Sequence, residues 1–534
     1  MADLIAMKGY AIKMAPGILR DGTRFAKPNW IDGQWCRFYR GLPQKMGGYK
    51  QIPDPFDTTF PNQIPRGLFV LPQSPNFDVY VGDQDSVGFI PIDFFGNPVG
   101  GYVDRTPVAP PFAANPANQW QFDIMFSGVT DAGGTSVIIA FAAPNLLSID
   151  NPDKRPIYYG PAYNFIPAEQ QLIETGFSVA GGIVVLHPYL LMLDDAGLVI
   201  ISEASNPTVE LDSFRIAPYK LLAGRPARGG NTSPAGLIWS TDRLIRVTQK
   251  GLTFETPEWN FDTISTGIST MSSACMVEYD NDYYWMGIDR FFFYNGVVLE
   301  LPNDMNRNYI FDNLNYNQRQ KVWATKDTEW GEVWWFYPSG NNLECDSAVI
   351  YNVREKTWYD TKLNRSCGYY STVFAQPIWA DNQINVANVY PLWLQDEGNN
   401  QVSFDAAGHP VVTAINSFLT TGPMSWIGVG PDQQRRGMDR WISYYRFEPD
   451  FVQIGSMTMT ITFNDYAASP VPTYTISGPY TFAPTTVKID IDNPRQGRQS
   501  TITFTSNVID GYFEMGEPIL IVTVGDGRQS VPGA

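Results

Sequence analysis

The sequence predicts an all-β protein: a β-propeller of about six or seven blades followed by a C-terminal β-sandwich-like domain. Three observations lead there. Short runs rich in Val, Ile, Tyr, Phe and Trp recur along the 534 residues, with almost no helical periodicity between them. Clusters of Asn, Asp, Gly and Pro separate the runs every ~8–12 residues, the spacing of sandwiches, barrels and propellers. The runs also group into sets that start roughly 40–60 residues apart, the interval of propeller blades. Composition agrees: 46 Gly, 41 Pro and 14% aromatic residues make a folded, turn-rich chain. Charged residues are only 17%, where an ordinary domain has about 25%.

Residues 1–50 form an N-terminal arm and the first strands. Segment 1–28 has no strong strand run and is expected to extend toward a neighbouring copy of the chain. Segment 30–49 reads as two short strands, with turns at Gly33 and at Gly41, Pro43, Gly47 and Gly48.

Residues 51–405 carry the propeller pattern in seven groups of runs. The first group is 67–71, 77–82 and 87–93; the second is 120–126, 136–142 and 157–159. The third is 177–186, 189–193 and 198–202; the fourth is 237–240, 244–248 and 252–256. The fifth is 274–279, 283–288 and 291–294; the sixth is 322–325, 333–337, 348–352 and 357–359. A weaker seventh holds 369–374, 377–380 and 390–394. Two groups are visibly alike. Tyr283-Tyr284-Trp285-Met286, then Phe291 to Asn295, parallels Val333-Trp334-Trp335-Phe336, then Ala348 to Asn352. Blades cover one another on both faces, so their strands can be continuously apolar. A stack of separate β-sandwich domains would share much of this pattern.

After about residue 405 the texture changes. Segment 406–534 has seven or so runs with more alternation and more Thr, a size suited to one two-sheet domain.

The charge balance narrows function. Lys and Arg number 37 against 54 Asp and Glu, a net charge of −17. Non-specific nucleic-acid binding relies on Lys and Arg neutralising phosphates, so the chain as a whole repels DNA. Arg435, Arg436 and Arg440 are the nearest approach to a basic stripe and read as a solvated loop. The N-terminus lacks a signal-peptide pattern and no apolar run reaches the ~20 residues of a membrane helix. The expectation is a soluble product made in a cytoplasm.

Recognisable catalytic motifs are missing. There is no GxSxG elbow, no phosphate-binding GxxxxGK[ST] and no dinucleotide loop. Cys36, Cys275, Cys345 and Cys367 form no CxxC pair and read as buried reduced thiols. His187 lies within an apolar run and reads as interior; His409, in Gly-His-Pro, reads as an exposed turn. Asp194, Asp195, Asp280, Asp282 and Asp346 stand at strand ends. Two such carboxylates from different blades could form a glycosidase pair, but Asp is favoured in turns for its local hydrogen bonds alone. The expectation is therefore a non-enzyme with no catalytic, cofactor-binding or metal-binding residue and no cofactor.

Three stretches carry a resemblance. They are Gly17-Ile18-Leu19-Arg20-Asp21-Gly22-Thr23-Arg24-Phe25 with Trp30-Ile31-Asp32-Gly33 and Arg37 to Tyr49; Ser269 to Ala274 ahead of the Tyr294-Asn295-Gly296 blade; and Asp439-Arg440-Trp441 leading to Phe447 to Phe451 and Gly497 to Ser500. In order, they resemble the tail-hub and nozzle proteins of short-tailed bacteriophages, whose best-known branch is the packaged-DNA stabilisation protein. The resemblance implies a structural protein of the virion tail, made in the host bacterial cytoplasm. About six copies would form a ring that extends the portal–adaptor channel, retains packaged DNA and lets it pass during ejection without sequence-specific binding. Its partners would be the head-to-tail adaptor or portal ring, and a fibre, tailspike or plug protein. The rival readings are a carbohydrate- or receptor-binding adhesin module and a propeller glycan hydrolase.

Overall fold

The computed structural model describes residues 7–23, 27–53, 61, 63–73, 76–84, 86–106, 112–113, 119–130, 136–143, 147–148, 156–161, 173–178, 182–227, 234–250, 258–370, 376–386, 388–425, 428–429, 435–436, 440–464, 475–491 and 496–524. It is nearly all β, and its centre is a seven-bladed propeller.

Six four-stranded antiparallel sheets follow one another along the chain. Blade 1 is Gly67–Gln73, Asn76–Gly82, Val87–Ile92 and Val103–Asp104; blade 2 is Gln121–Thr130, Ser136–Ala143, Pro156–Pro161 and Ile173–Ser178. Blade 3 is Gly182–Leu186, Tyr189–Leu193, Leu198–Glu203 and Asn206–Arg215; blade 4 is Leu221–Pro226, Ala235–Ser240, Arg243–Lys250 and Glu258–Thr266. Blade 5 is Met276–Tyr279, Asp282–Met286, Phe291–Tyr294 and Val298–Leu301; blade 6 is Trp323–Asp327, Glu332–Tyr337, Ser347–Asn352 and Thr357–Lys362. Blade 7 takes Cys367–Tyr369, Ile378–Ala380 and Leu392–Gln395 from this end of the chain and Tyr49–Gln51 from before blade 1. Its sheet continues through the hairpin Asn400–Phe404 and Pro410–Ala414. The first strand of blade 7 packs on the first strand of blade 1, which closes the ring.

The middle strands explain the apolar runs. Glu332–Tyr337 and Ser347–Asn352 are buried at every position, because both faces of the blade are covered by neighbours. Between blades 5 and 6 the cover is aromatic: the Trp335 ring lies 5.0 Å from Phe291 and 6.0 Å from Trp358.

The C-terminal part is built on three sheets around one core. The first orders Lys8–Ala11, Ile519–Val524, Ile442–Glu448 and Ile489–Asp490. The second orders Ala15–Ile18, Asn29–Gln34, Ser417–Thr421, Gln499–Ser506, Met457–Asn464 and Thr475–Phe482; the third orders Cys36–Tyr39, Leu42–Lys45, Tyr512–Met515 and Phe451–Ile454. Alternation on Met457–Asn464 turns Met457, Met459, Ile461 and Phe463 inward, against Ile502, Phe504, Phe447 and Leu520. The opposite face carries Thr458, Thr460 and Thr462.

Several elements differ from the sequence reading. The run 177–186 is two strands of different blades, Ile173–Ser178 and Gly182–Leu186. Runs 252–256 and 371–374 lie outside the described residues. The segment expected to be an arm folds onto its own chain: Lys8–Ala11 pairs with Ile519–Val524, and Ala15–Ile18 pairs with Asn29–Gln34. Both are short strands whose pairing partners, rather than their own composition, make them β. One short helix, Arg307–Asn313, had no periodic signal; Asp21 caps it, accepting from the Asn308 and Tyr309 N–H groups at 2.7 and 2.8 Å.

Candidate functional site

The first strands of the seven blades run side by side around a central channel of about 460 Å³. Its wall is unequal. Blades 1, 2 and 7 contribute Phe69, Phe122 and Tyr369. Phe69 lies 6.4 Å from Phe122 and 4.9 Å from Tyr369, ring centre to ring centre. Facing them, blade 4 contributes Arg225, blade 5 Glu278 and blade 6 Lys326.

The polar groups are held by the strands behind them. Asp123 accepts from the Val185 and Ile124 N–H groups at 2.7 and 2.9 Å, tying blade 2 to blade 3. Burial outweighs those bonds and pushes its carboxyl up to about 6. Gln121 accepts from the Ile183 N–H and donates to the Leu222 carbonyl, so one side chain links blades 2, 3 and 4. Lys326 donates to Glu278 at 2.9 Å and is thereby neutralised. Arg225 Nη1 donates to the Gly224 carbonyl at 2.9 Å.

A second polar centre lies where propeller, N-terminal strands and C-terminal sheets meet. Arg37, on Cys36–Tyr39, is buried among Glu332, Asp396 and Asp327, at 2.9, 2.8 and 3.9 Å. Its guanidinium lies over the Trp330 ring, 4.4 Å from the centre. Glu332 also accepts from the Tyr359 hydroxyl at 2.6 Å and the Trp334 indole N–H at 2.9 Å. Three carboxyl groups around one cation cannot all stay ionised cheaply. Burial and the neighbouring Asp396 raise Asp327 well above the carboxylate range. Burial would raise Asp396 too, but Arg37 and the hydrogen bond from Asp327 hold it below that range. The two titrate as a coupled pair in which Asp327 holds a proton more tightly than Asp396. A parallel clamp holds the segment before it: Arg20 bridges Asp32 and Asp360, the latter at 2.9 Å.

The residues singled out from sequence are dispersed. Asp194 accepts from the Ala196 and Leu198 N–H groups in a turn of blade 3, and Asp195 pairs with Lys220 at 2.7 Å. Asp280 is a left-handed turn residue at φ 51° in blade 5, and Asp282 follows it in the same hairpin. Asp346, in blade 6, accepts from the Ser339 N–H and hydroxyl, both at 2.7 Å. All five serve local turns or pairs. His187 is not interior: Leu186 pairs with Tyr189, leaving His187 and Pro188 as the hairpin turn, and His187 is exposed. His409 is exposed beside Asp405. The four cysteines are buried and unpaired with one another. Arg435–Arg436 pairs with Gly428–Val429 in a two-stranded ribbon, and Arg440 is exposed. Among the described residues no three His, Cys, Asp or Glu side chains are placed to hold a metal ion, and no helix is long and apolar enough to cross a membrane.

Arg37, Arg225 and Glu332 were missed by the sequence reading. Each has one legible mark, a charge within an apolar run: Cys36-Arg37-Phe38, Leu222-Ala223-Gly224-Arg225 and Glu332-Val333-Trp334.

No family model and no curated protein matches the chain. Among solved structures, the crystal structure of BBS1N in complex with ARL6DN contains a similar chain. The two are 9% identical with a TM-score of 0.36, over 65% of this chain and 97% of that one. A chain of the mitotic checkpoint complex is 10% identical with a TM-score of 0.38, over 67% of this chain and 93% of that one.

Proposed function

We propose that this protein is a structural subunit of a virion tail: a nozzle or hub whose copies form a ring that extends the portal–adaptor channel, retains packaged DNA and lets it pass during ejection. The observation that carries the reading is the interlock made by the first 51 residues. They place strands in all three C-terminal sheets and in the last propeller blade, and Arg20 and Arg37 clamp them to blade 6. Such a subunit is one stiff block, suited to a passive conduit under internal pressure. Its own channel, at about 460 Å³, has the capacity of a small molecule and not of a double helix. DNA would pass between copies, through a ring closed by head-to-tail contacts. A net charge of −17 suits a conduit that does not grip its cargo. Adaptor and fibre or plug proteins would be its neighbours.

The test is to tag the chain in its producing cells, recover the native assembly and image it by electron microscopy. Ring density below a portal on DNA-filled particles is expected. Recovery solely as free single subunits, never attached to particles, would overturn the reading.

A further inference from the structure

We propose that the propeller channel binds a small planar organic anion, an aromatic carboxylate by chemical class, with Arg225 taking the carboxylate and Phe69, Phe122 and Tyr369 taking the ring. This inference concerns a ligand of the single subunit and stands apart from the assembly role above.

Four other arginines with little exposed side chain set the comparison. Arg20, Arg37, Arg66 and Arg365 lie within 2.9, 2.8, 2.8 and 3.2 Å of a carboxylate from another part of the chain. Arg225 has no carboxylate within ion-pair distance among the described residues. A guanidinium offers five donors, and among the described residues one is used, on the carbonyl of the residue before it. Asp123 acts on it at longer range, and that carboxyl is already committed to two backbone N–H groups. Lys326 does not compete for an anion, because Glu278 neutralises it. Among the described residues, the channel thus presents one arginine, half-buried as a residue, with donors to spare.

Position supplies the rest. In a seven-membered ring, blade 4 faces the gap between blades 1 and 7. Arg225 therefore looks across to the Phe69–Tyr369 pair, with Phe122 completing the wall. A flat ring can lie on those aromatic faces while its carboxylate meets the fork of the guanidinium, a charge-assisted and bidentate match. A volume of about 460 Å³ falls within the usual range for small-ligand sites, and such sites combine an apolar wall with few convergent polar groups. Burial loosens the hold of Arg225 on its proton, with only partial relief from Asp123; a bound anion would supply the missing counter-charge.

The experiment uses the full chain and three probes: benzoate, its neutral isostere benzamide, and sulfate. Saturation-transfer NMR gives binding, and thermal shift gives the linked stabilisation. Benzoate is expected to bind at millimolar concentration or below, with benzamide at least about tenfold weaker. Sulfate should displace benzoate, and Arg225→Met should erase the preference for benzoate over benzamide. Absence of transfer from benzoate at about 10 mM would overturn the proposal. So would equal binding of benzamide, or an unchanged preference in Arg225→Met. Should that variant fail to fold, the benzoate–benzamide comparison on the native chain decides alone.

Discussion

Arg37→Met is the most informative perturbation of the joint. In the native chain the Glu332 and Asp396 carboxyls sit 2.9 and 2.8 Å from the guanidinium, the first raised by burial and the second held low by Arg37, and an ionised pair at that distance is worth roughly 6 kcal/mol at an effective dielectric near 20. Desolvation offsets most of that. Removing Arg37 leaves two buried negative charges, and the cheapest escape is for one to take a proton. At pH 7, protonating a Glu of ordinary pKa 4.3 costs about 3.7 kcal/mol, at 1.36 per pH unit. That figure sets the scale of the loss and falls within the ~3–5 kcal/mol typical of a broken buried pair. It corresponds to a fall in Tm of roughly 8–15 °C for a cooperative unit of 150–250 residues. In the variant, the proton-binding carboxyl has a folded pKa above its unfolded value, so stability is lost as pH rises and recovered as it falls. The penalty should shrink by about 1.4 kcal/mol per pH unit and be near 1 kcal/mol at pH 5. Chemical denaturation of both proteins at pH 5, 6 and 7 measures this. A penalty below about 1 kcal/mol at pH 7, or one equal at pH 5 and 7, would show that Arg37 does not hold buried charge in the native chain.

Other predictions follow from single contacts. Gly17 adopts φ +96°, and a Cβ there would meet Thr357 Oγ1 at 2.4 Å and the Trp358 carbonyl at 2.9 Å; Gly17→Ala should cost about 2 kcal/mol or more, read by denaturant midpoint, and release the N-terminal segment to proteolysis. Trp335→Ala removes a fully buried indole that donates to the Cys275 carbonyl at 3.0 Å between blades 5 and 6; a loss of about 3–5 kcal/mol is expected, and one under 1 would show that the blades repack freely. Asp123 has a folded pKa raised to about 6, so its contribution is present below pH ~4 and is lost as pH rises through 6. Asp123→Asn should flatten that part of the thermal-stability profile, and an unchanged profile would place the titration elsewhere.

Blades 5 and 6 were legible because each repeats an aromatic strand, a turn and a second apolar strand, and because burial on both faces leaves no alternation to confuse the reading. The outer strands were harder. Asn206–Arg215 and Glu258–Thr266 carry Glu210, Asp212 and Asp262 and are largely exposed, so their strand character comes from pairing with an apolar neighbour. Lys8–Ala11 failed for the same reason at greater range, since its partner lies more than 500 residues away. His187 misled because an apolar run continues on both sides of it, although Pro188 marked the turn. The channel groups were illegible as a set. Phe69, Phe122, Arg225 and Tyr369 come from four blades, and only closure of the ring brings them to one cavity.

Closure itself carries a consequence for how the parts depend on one another. Tyr49–Gln51 is the fourth strand of the last blade, antiparallel to Leu392–Gln395 and parallel to Asn400–Phe404. Without it the final sheet keeps an open edge where it meets the hairpin. The residues just before it, Cys36–Tyr39 and Leu42–Lys45, pair into the sheet completed by Tyr512–Met515. One short segment therefore closes the propeller and completes a C-terminal sheet, and the turn between those tasks is sealed at Gly47, whose N–H donates to Asp396 at 3.0 Å. Asp396 is also the ionised partner of Arg37. If Tyr49–Gln51 left the propeller it would pull Arg37 away from this carboxylate, breaking a buried ion pair at the same step as it opened the ring. The polar joint and the closing strand thus act as one latch, shared by the propeller and the C-terminal sheets.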